Sequence, residues 1–302
     1  MAVLDKPDFE FKSGYVAIAG PPNAGKSTLL NRLLGEKISI TSQKPQTTRN
    51  RIVGVLHRSS SQIVFIDTPG VHSPRGTLNT RMVDAAVTAL GDSDIVLLVV
   101  DAANPDPAAE DILIRKLTSQ ARPVILALNK IDLVPKAKLL VMIDRWSTVF
   151  AFEAVVPISA TQNIQIDELV TAMETILPHG PAFYPPDTVT DLPKRFLAAE
   201  IVREKVIRLT GEEIPYAAAV TVDSFQEESD RRLIRIHATI HLERESQKAI
   251  VIGKAGSKLK RIGTDARKEL EQFLETKVFL KLFVRVQKNW RKDTRALRRF
   301  GY

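Results

Sequence analysis

The sequence contains no cysteine among its 302 residues. Disulfide bonds and thiolate metal sites are therefore excluded, which fits a reducing compartment. Long apolar runs are also missing: the stretches at 95–100 and 124–128 are far too short to span a bilayer. The first residues carry neither the apolar core of a signal peptide nor an arginine-rich transit pattern. We therefore expect a cytoplasmic protein.

Acidic residues are outnumbered by basic ones. The chain has 43 lysines and arginines against 35 aspartates and glutamates, which gives a net charge of +8. Such an excess favours a polyanionic partner, either nucleic acid or a membrane surface. Hydrophobic residues make up 44% of the chain, which is enough for a packed core, and the length fits one large domain or two ordinary ones.

A glycine-bounded loop, residues 20–28, lies between an apolar run typical of a strand and a pattern typical of a helix. This context predicts a phosphate-binding loop at a helix N-terminus. The loop N–H groups would bind the α- and β-phosphates, Lys26 would reach the β- and γ-phosphates, and Ser27 would ligate Mg²⁺. The nucleotide-binding residues predicted in this loop are Asn23, Ala24, Gly25, Lys26, Ser27 and Thr28.

A second motif, Asp-Thr-Pro-Gly at residues 67–70, ends another apolar run. An acidic residue at the carboxyl end of a strand beside a phosphate loop is suited to hold Mg²⁺ through water, which is the role expected of Asp67. Gly70 would let a backbone N–H approach the γ-phosphate. Taken alone, the tetrapeptide is more typical of an ordinary turn.

The third and fourth motifs are suited to bind the base of a guanine nucleotide. Asp132, in Asn-Lys-Ile-Asp at residues 129–132, can accept hydrogen bonds from the N1–H and the exocyclic amine of guanine, and adenine offers neither donor. Asn129 is expected to brace that loop, and the stem of Lys130 can pack on the purine face. Ser159 and Ala160 follow the next short strand, where the Ala160 N–H could meet guanine O6.

Strands that alternate with helices predict a doubly wound, mostly parallel α/β sheet with helices on both faces. Every motif falls just after a strand end, where such sheets bind ligands. Together with Thr47 and Thr48, the motifs resemble, in order and spacing, those of the translation-factor-type P-loop GTPases. The resemblance implies GTP and GDP as ligands, Mg²⁺ as the metal and GTP hydrolysis as the reaction, with catalytic roles for Lys26, Thr48, Asp67 and Gly70.

Two positions modify this expectation. Ras-like GTPases orient the attacking water with a glutamine after Asp-x-x-Gly, but here Val71 occupies that position, so intrinsic hydrolysis is expected to be slow. Asn23 resembles the asparagine that ligates K⁺ in potassium-activated members, and the alternative is an Asx-type brace of the loop. Thr48 is favoured over Thr47 as the switch Mg²⁺ ligand because it directly precedes Arg49, as in related proteins.

Proline and glycine mark the domain boundaries. The sequence predicts a GTPase domain at residues 1–178, a proline-rich linker at 179–195 and a second domain at 196–302. Residues 233–243 alternate between apolar and polar side chains, which predicts a half-buried strand with His237 and His241 on its exposed face. Without cysteine nearby, these histidines are not expected to form a metal site.

The second domain has the element order helix, strand, strand, helix, Gly-x-x-Gly loop, helix, strand. This order resembles the α+β type II KH fold, in which a glycine turn between two helices clamps about four single-stranded nucleotides. The tail at 288–302 concentrates cations and is expected to contact phosphates; the alternative is that it forms a solvated terminal helix. Trp290 is available for base stacking or for packing. The residues predicted to bind RNA are Gly253, Lys254, Ala255, Gly256, Lys258, Lys288 and Arg291.

Across nearly its whole length, including Pro-Gln-Thr-Thr-Arg at 45–49, the chain resembles the Era family of bacterial ribosome-assembly GTPases. A small departure is the pair Pro21 and Pro22, which affects loop geometry rather than chemistry. The resemblance implies a monomer that binds the 3′ end of 16S rRNA during maturation of the 30S subunit precursor, with GTP favouring the RNA-competent state. It also implies peripheral inner-membrane association in some members, which the basic tail permits.

Two other functions remain open at this point. One is a GTPase whose KH-like half binds a protein. The other is a membrane-surface GTPase whose basic tail binds acidic lipid. Neither requires a Gly-x-x-Gly loop flanked by two helices, so ribosome assembly is the favoured interpretation.

Overall fold

The computed structural model describes residues 10–302 apart from 43, 45–47, 71–76, 212, 229 and 231. It divides into two compact units, one drawn mainly from the chain up to Asp191 and one mainly from Leu192–Tyr302. Within the part of the chain so described, no helix is both long enough and apolar enough to cross a membrane.

A six-stranded sheet forms the centre of the first unit, and its strands are short runs of buried aliphatic residues. They are β1 (Lys12–Ala19), β2 (Ile52–His57), β3 (Ser61–Asp67), β4 (Ile95–Asp101), β5 (Val124–Asn129) and β6 (Ala154–Pro157). The helices of this unit are α1 (Lys26–Leu34), α2 (Thr77–Gly91), α3 (Pro107–Thr118), α4 (Lys136–Val149) and α5 (Ile166–Ile176).

Consecutive residues in the central strands are buried, so both faces of the sheet are covered. The strand order is β2-β3-β1-β4-β5-β6; β2 runs antiparallel to β3 and the remaining pairs are parallel. On one face, alternate side chains of β1, β4 and β5 form a core with α2, α3 and α4. This confirms the predicted doubly wound, mostly parallel fold, and it brings the carboxyl ends of five strands to one edge.

The segment predicted as a linker is for the most part attached to the first unit. The Val55 N–H donates to Val189 O at 2.8 Å, and Thr190 Oγ1 donates to Val53 O at 2.6 Å, so this segment covers the outer edge of β2. Covering an edge strand satisfies backbone groups that would otherwise invite pairing with another chain. Little chain therefore remains between Asp191 and the first helix of the second unit.

The second unit is a three-stranded sheet with helices packed on one face. Its strands are β7 (Ala219–Glu228), β8 (Leu233–Leu242) and β9 (Lys277–Val286), and its helices are α6 (Lys194–Leu209), α7 (Ile214–Ala217), α8 (Glu245–Ile252), α9 (Ser257–Phe273) and α10 (Thr294–Arg299). β7 pairs antiparallel and β9 pairs parallel with the central strand β8. The pair α8–α9 makes the crossover between the two parallel strands, which confirms the type II KH fold.

The alternation of β8 determines which side chains form the core. Ile234, Ile236, Ala238 and Ile240 are buried together with side chains of α6, α8 and α9. The opposite face was predicted to be exposed, and for His241 that prediction was wrong. Its side chain is 5% exposed, because the ring of Phe300 lies 4.3 Å away, centre to centre.

The burial of His241 has an electrostatic consequence. Burial lowers the pKa of His241 to about 4, and the nearby charge of Arg299 acts in the same direction. The imidazole is therefore neutral at physiological pH. Its Nε2 lies 2.9 Å from Thr221 Oγ1, within hydrogen-bond distance. No cluster of three or more His, Asp or Glu side chains suited to a metal ion occurs within the described ranges.

The chain end is a packed part of the second unit. Trp290 is fully buried, its indole N–H donates to Ala217 O at 2.9 Å, and its ring meets that of Phe300 edge to face at 5.3 Å. Ala296 and Leu297 of α10 are buried as well. Of the two roles considered for Trp290, the structure therefore selects packing, and α10 is more than a solvated terminal helix.

Candidate functional site

The glycine-bounded loop connects β1 to α1, and α1 begins at Lys26. Gly25 has a left-handed backbone, with φ of 99°, and a Cβ at this position would overlap the side-chain amide of Asn129. Glycine is therefore required both for the backbone conformation and for the close approach. The free N–H groups at the start of α1 point out of the helix and are suited to an anion.

Lys26 lies within this loop and is only 6% exposed. Its Nζ donates to Gly20 O at 3.0 Å and to Pro21 O at 2.8 Å. Burial lowers the pKa of Lys26 to about 8, although the nearby carboxylate of Asp67 opposes this shift. The Lys26 ammonium is thus bound by two carbonyl groups of the loop. A phosphate at this position would be a stronger partner than these neutral carbonyls.

Asp67, at the end of β3, is fully buried and collects three hydroxyl groups. Ser27 Oγ and Ser39 Oγ donate to Asp67 Oδ2 at 2.8 and 3.0 Å, and Ser27 Oγ also lies 2.8 Å from Thr48 Oγ1. Burial raises the pKa of Asp67, while the charge of Lys26 and these hydroxyls oppose that shift.

The second oxygen of this carboxylate, Oδ1, is buried and has no hydrogen-bond partner among the described residues. A buried anionic oxygen without a donor favours an additional cation or water, since such groups are nearly always paired. Hydroxyl and carboxylate oxygens are the protein ligands that Mg²⁺ prefers, so the set formed by Ser27, Thr48 and Asp67 fits that ion.

Gly70 lies against the phosphate loop. A Cβ on Gly70 would come within 2.9 Å of Pro22 N, so only glycine permits this approach of the two backbones. Val71, the residue at the position of the Ras-like glutamine, lies outside the described residues, as does Thr47. Thr48 is described, and its hydroxyl belongs to the Asp67 cluster.

Asn129, the last residue of β5, joins three loops through one side chain. Its Nδ2 donates to Ala24 O at 2.9 Å, and its Oδ1 accepts from Lys130 N at 2.9 Å and from Ala160 N at 3.1 Å. This is the bracing role expected of Asn129. The Ala160 N–H, expected to meet guanine O6, would have to exchange its bond to Asn129 for one to the base.

Lys130 bridges two loops as well. It has a left-handed backbone with φ of 67°, and its Nζ donates to Asn23 O at 2.8 Å and to Asp101 Oδ2 at 2.6 Å. Asp132 is exposed on the short 3₁₀ turn that follows, and no hydrogen bond to its carboxylate occurs among the described residues. Its oxygens are therefore accessible to a base.

Four further residues predicted from the motifs lie at the same edge of the sheet. Ser159 is fully buried and its Oγ accepts from Gln162 N at 3.1 Å, which shapes the loop beside Asn129. Ala24 is buried, whereas Asn23 is exposed on its left-handed backbone, and Thr28 lies in the first turn of α1.

Sequence reasoning missed two residues of this site. Ser39 is 2% exposed and donates to Asp67, but it belongs to none of the sequence motifs. Asp101, which pairs with Lys130, does carry a signal, because it directly ends the buried strand β4, as Asp67 ends β3. Equal weight for every polar residue at a strand end would have found Asp101.

The second unit carries the other candidate site, the loop between α8 and α9. Gly253, Ala255 and Gly256 all have left-handed φ, of 73°, 50° and 77°. A Cβ on Gly253 would lie 2.7 Å from the Cβ of Lys258, so the turn is tight. Lys254 and Lys288 are exposed, whereas Arg291 is held by Glu243, to which its Nε donates at 2.8 Å.

Two family models match the chain: one described as a 50S ribosome-binding GTPase over residues 15–130, and one described as a KH domain over residues 213–291. The GTPase Era of Geobacter metallireducens is 52% identical over 98% of this chain and 99% of its own length. The GTPase Era of Syntrophus aciditrophicus is 50% identical over 97% of this chain and 95% of its own length.

Solved structures agree with these relatives. A variant of Aquifex aeolicus Era bound to GDP·AlF₄⁻ is 42% identical, with a TM-score of 0.93 over 97% of this chain and 99% of that one. The same values hold for a structure of Era in complex with MgGDPNP and nucleotides 1506–1542 of 16S ribosomal RNA.

The parallel sheet with its phosphate and base loops, followed by a type II KH module, defines a P-loop GTPase of the RNA-binding class. Because relatives about half identical cover almost the full length of both chains, this protein belongs to the Era family. It is accordingly a GTPase that binds GTP and GDP.

The Asn129→Ala substitution tests how far one side chain supports the site. It leaves Ala24 O and the N–H groups of Lys130 and Ala160 without their partner. Because each buried polar group that loses its partner costs about 1–3 kcal/mol, we expect the free energy of unfolding to fall by at least that amount. Urea unfolding followed by tryptophan fluorescence measures it, with exposed Asn104→Ala as the control. Equal stabilities of the two variants would contradict the bracing role.

Proposed function

We propose that this protein is a GTP-controlled switch that binds the 3′ end of 16S rRNA and assists maturation of the 30S ribosomal subunit. The observation that carries this proposal is the Era complex with MgGDPNP and nucleotides 1506–1542 of 16S rRNA, a chain that is similar to this one over both units. The 50S description belongs to a model that matches only residues 15–130, so the full-length relative is the better guide.

In this proposal the phosphate loop, residues 23–28, binds the nucleotide phosphates through its N–H groups. The Lys26 ammonium exchanges Gly20 O and Pro21 O for the β- and γ-phosphates. Asp132 accepts two hydrogen bonds from guanine, and Asn129, Lys130, Ser159 and Ala160 form the rest of the base pocket. These roles are supported by the exposed carboxylate of Asp132 and by the burial of Lys26 beside the helix N-terminus.

Hydrolysis transfers the γ-phosphoryl group to water, and the bond between the γ-phosphorus and the β–γ bridging oxygen breaks. Lys26 is positioned to stabilise the negative charge that develops on that oxygen, and the Gly70 N–H to bind a γ-phosphate oxygen. Val71 has no polar side chain to orient the water, so a switch-loop backbone group, a cation or a partner must do so. The expected result is slow intrinsic turnover.

We propose Mg²⁺ as the metal, with Ser27 and Thr48 as ligands and Asp67 bound through water. The ion would supply charge neutralisation between the β- and γ-phosphates. We further propose that the exposed Asn23 side chain, which makes no hydrogen bond within the described residues, ligates K⁺. Nucleotide affinity unchanged by a chelator would exclude the first assignment, and equal hydrolysis rates in potassium and sodium chloride would exclude the second.

For the RNA we propose the loop Gly253–Gly256 with Lys254, Ala255 and Lys258 as the backbone clamp, and Lys288 and Arg291 as flanking phosphate contacts. Support comes from the tight turn, in which Gly253, Ala255 and Gly256 have positive φ and which leads directly into the N-terminus of α9. Arg291 would share its guanidinium between Glu243 and a phosphate. The charged tail is also where an acidic membrane lipid would bind, but Trp290, Leu297 and Phe300 commit that segment to packing.

The base assignment is tested by Asp132→Asn. The amide retains one acceptor but replaces the second with a donor, which matches the C2 carbonyl of xanthine instead of the amine of guanine. We expect GTP affinity to fall at least tenfold and xanthosine triphosphate affinity to rise, both measured by fluorescence competition. Asp144→Asn, an exposed carboxylate on α4, is the control. A retained preference for guanine would refute the role of Asp132.

Lys26 predicts a pH dependence of nucleotide binding. Without nucleotide its pKa is about 8, and neighbouring phosphates favour the charged form, so binding raises that pKa. Near pH 8 about half of the lysine is neutral, so GDP binding without Mg²⁺ should take up roughly half a proton, and affinity should decrease as pH rises above 8. Calorimetry in buffers of different ionisation enthalpy measures the uptake.

The control for this titration is Lys26→Arg, whose guanidinium stays charged and should show no uptake. Proton uptake of the same size in the arginine variant would mean that another group titrates.

The RNA clamp is tested by Lys254→Asp with Ala255→Asp. Aspartate tolerates the left-handed backbone of Ala255, so the turn is retained while two carboxylates repel the phosphates. We expect affinity for RNA of nucleotides 1506–1542 to fall at least tenfold with GTP hydrolysis unchanged, measured by fluorescence anisotropy and phosphate release. Lys268→Asp, exposed about three turns along α9, is the control. Undiminished RNA affinity would rule out the clamp.

A further inference from the structure

The outer face of the second unit's sheet, opposite α6, α8 and α9, carries two exposed phenylalanines. Phe279 and Phe283 of β9 are each 44% exposed, whereas Val278 belongs to the core on the helical side and Leu280 and Leu282 pack against that core. This alternation follows from the pleat of the strand. The phenyl rings are therefore not part of the core, and nothing in the packing of the domain requires an aromatic residue at either position.

One cationic side chain lies beside each ring. The guanidinium of Arg235, on β8, lies 5.3 Å from the centre of the Phe279 ring, and the Lys281 ammonium lies 5.1 Å from that of Phe283. The His237 ring stands between them, edge to face with each, at 6.4 and 6.3 Å. We call this group of five side chains the outer-face patch: Arg235, His237, Phe279, Lys281 and Phe283.

The patch has a defined border and, among the described residues, one acidic partner on its own sheet. Glu228 of β7 pairs with Arg235. Beyond the patch, Arg285 adds a further exposed cation, and Asp223 is engaged by the Thr239 hydroxyl at 2.6 Å. The chain end closes that side, because Phe300 covers His241. The outer-face patch is thus an open, net cationic surface with aromatic rings set into it.

We propose that the outer-face patch is a second binding surface for single-stranded RNA, which stacks its bases on Phe279 and Phe283. Stacking on exposed aromatic rings that are flanked by cations is how sheets bind single strands without reading their sequence. Four residues of extended strand separate the rings by about 13 Å. Stacked bases are about 3.4 Å apart, so the two rings suit bases that are splayed from each other, which a duplex does not offer.

This surface lies on the opposite side of the sheet from α8 and α9, which carry the Gly253–Gly256 loop. The inference rests on the proposed function, since it assumes that the RNA clamped by that loop continues beyond the clamp. A clamp that holds about four nucleotides leaves the remainder of a longer strand unbound. The outer-face patch would hold part of that remainder and increase affinity without adding base specificity.

The test compares two double variants that differ only in the ring. Phe279→Leu with Phe283→Leu keeps apolar bulk and removes the π faces, whereas Phe279→Tyr with Phe283→Tyr keeps both. We expect the leucine pair to bind a fluorescein-labelled uridine 15-mer roughly tenfold more weakly in anisotropy, and the tyrosine pair to bind within about twofold of the original protein. Phe183→Leu, at a 48% exposed phenylalanine of the first unit, is the matched control and should change nothing.

The salt dependence of RNA affinity is a second readout. It should not change if the patch residues have only a structural role. Lys281→Gln should reduce the magnitude of the slope of log affinity against log salt by roughly 0.7, because each phosphate contact to a single strand contributes about 0.7. Thermal unfolding of each variant verifies that the domain remains folded.

The outcomes separate this proposal from the RNA clamp. The leucine pair is also measured in the Lys254→Asp, Ala255→Asp background, where residual binding of the 15-mer should depend on the rings. Undiminished binding by the clamp variant would weaken the proposed function and leave the patch standing. Equal affinity of the leucine pair and the original protein, or equal loss in the leucine and tyrosine pairs, would overturn the patch. Loss of binding to anionic phospholipid vesicles with RNA binding intact would overturn it in favour of lipid.

Discussion

The buried charge of Asp67 is the constraint around which the nucleotide site is built. A carboxylate without water is costly unless donors or cations surround it. Ser27, Ser39 and Thr48 supply hydroxyl groups, and Lys26 supplies a charge close enough to oppose the effect of burial on the pKa of Asp67. One anion at the end of β3 thus draws together the phosphate loop and the threonine of the switch segment.

The second unit uses one pleated sheet for two purposes. Isoleucines of β8 and aliphatic residues of β9 fill the core on the helical side, where the Gly253–Gly256 loop connects the helices. The intervening residues face outward and are free to carry rings and charges, because they contribute little to the core. At one end of that face, Trp290 and Phe300 of the chain terminus are buried and pack against each other. At the other end, Phe279 and Phe283 remain accessible. The same alternation therefore creates both a folded domain and a surface for ligands.

Most of the first unit could be predicted because its motifs are contiguous and follow strands whose apolar runs are unambiguous. Asp67, Asn129 and Asp132 were found in this way, and the sheet brings their loops to one edge. The start of β7 at Ala219 depends on the residues before it, which form the short helix α7. The proline-rich stretch after 178 has the composition of a linker, yet hydrogen bonds of Val189 and Thr190 attach its end to β2.

The sequence by itself determined the class of fold, the chemistry of each motif and the face of β8 on which each side chain lies, because these depend on order and periodicity along the chain. Only the tertiary structure decided what covers those faces. His241 is buried under Phe300, Trp290 packs against the body of its domain, and Ser39 donates to Asp67. Each contact joins segments that are distant in the chain, and periodicity carries no information about which distant segment will return to cover a given face.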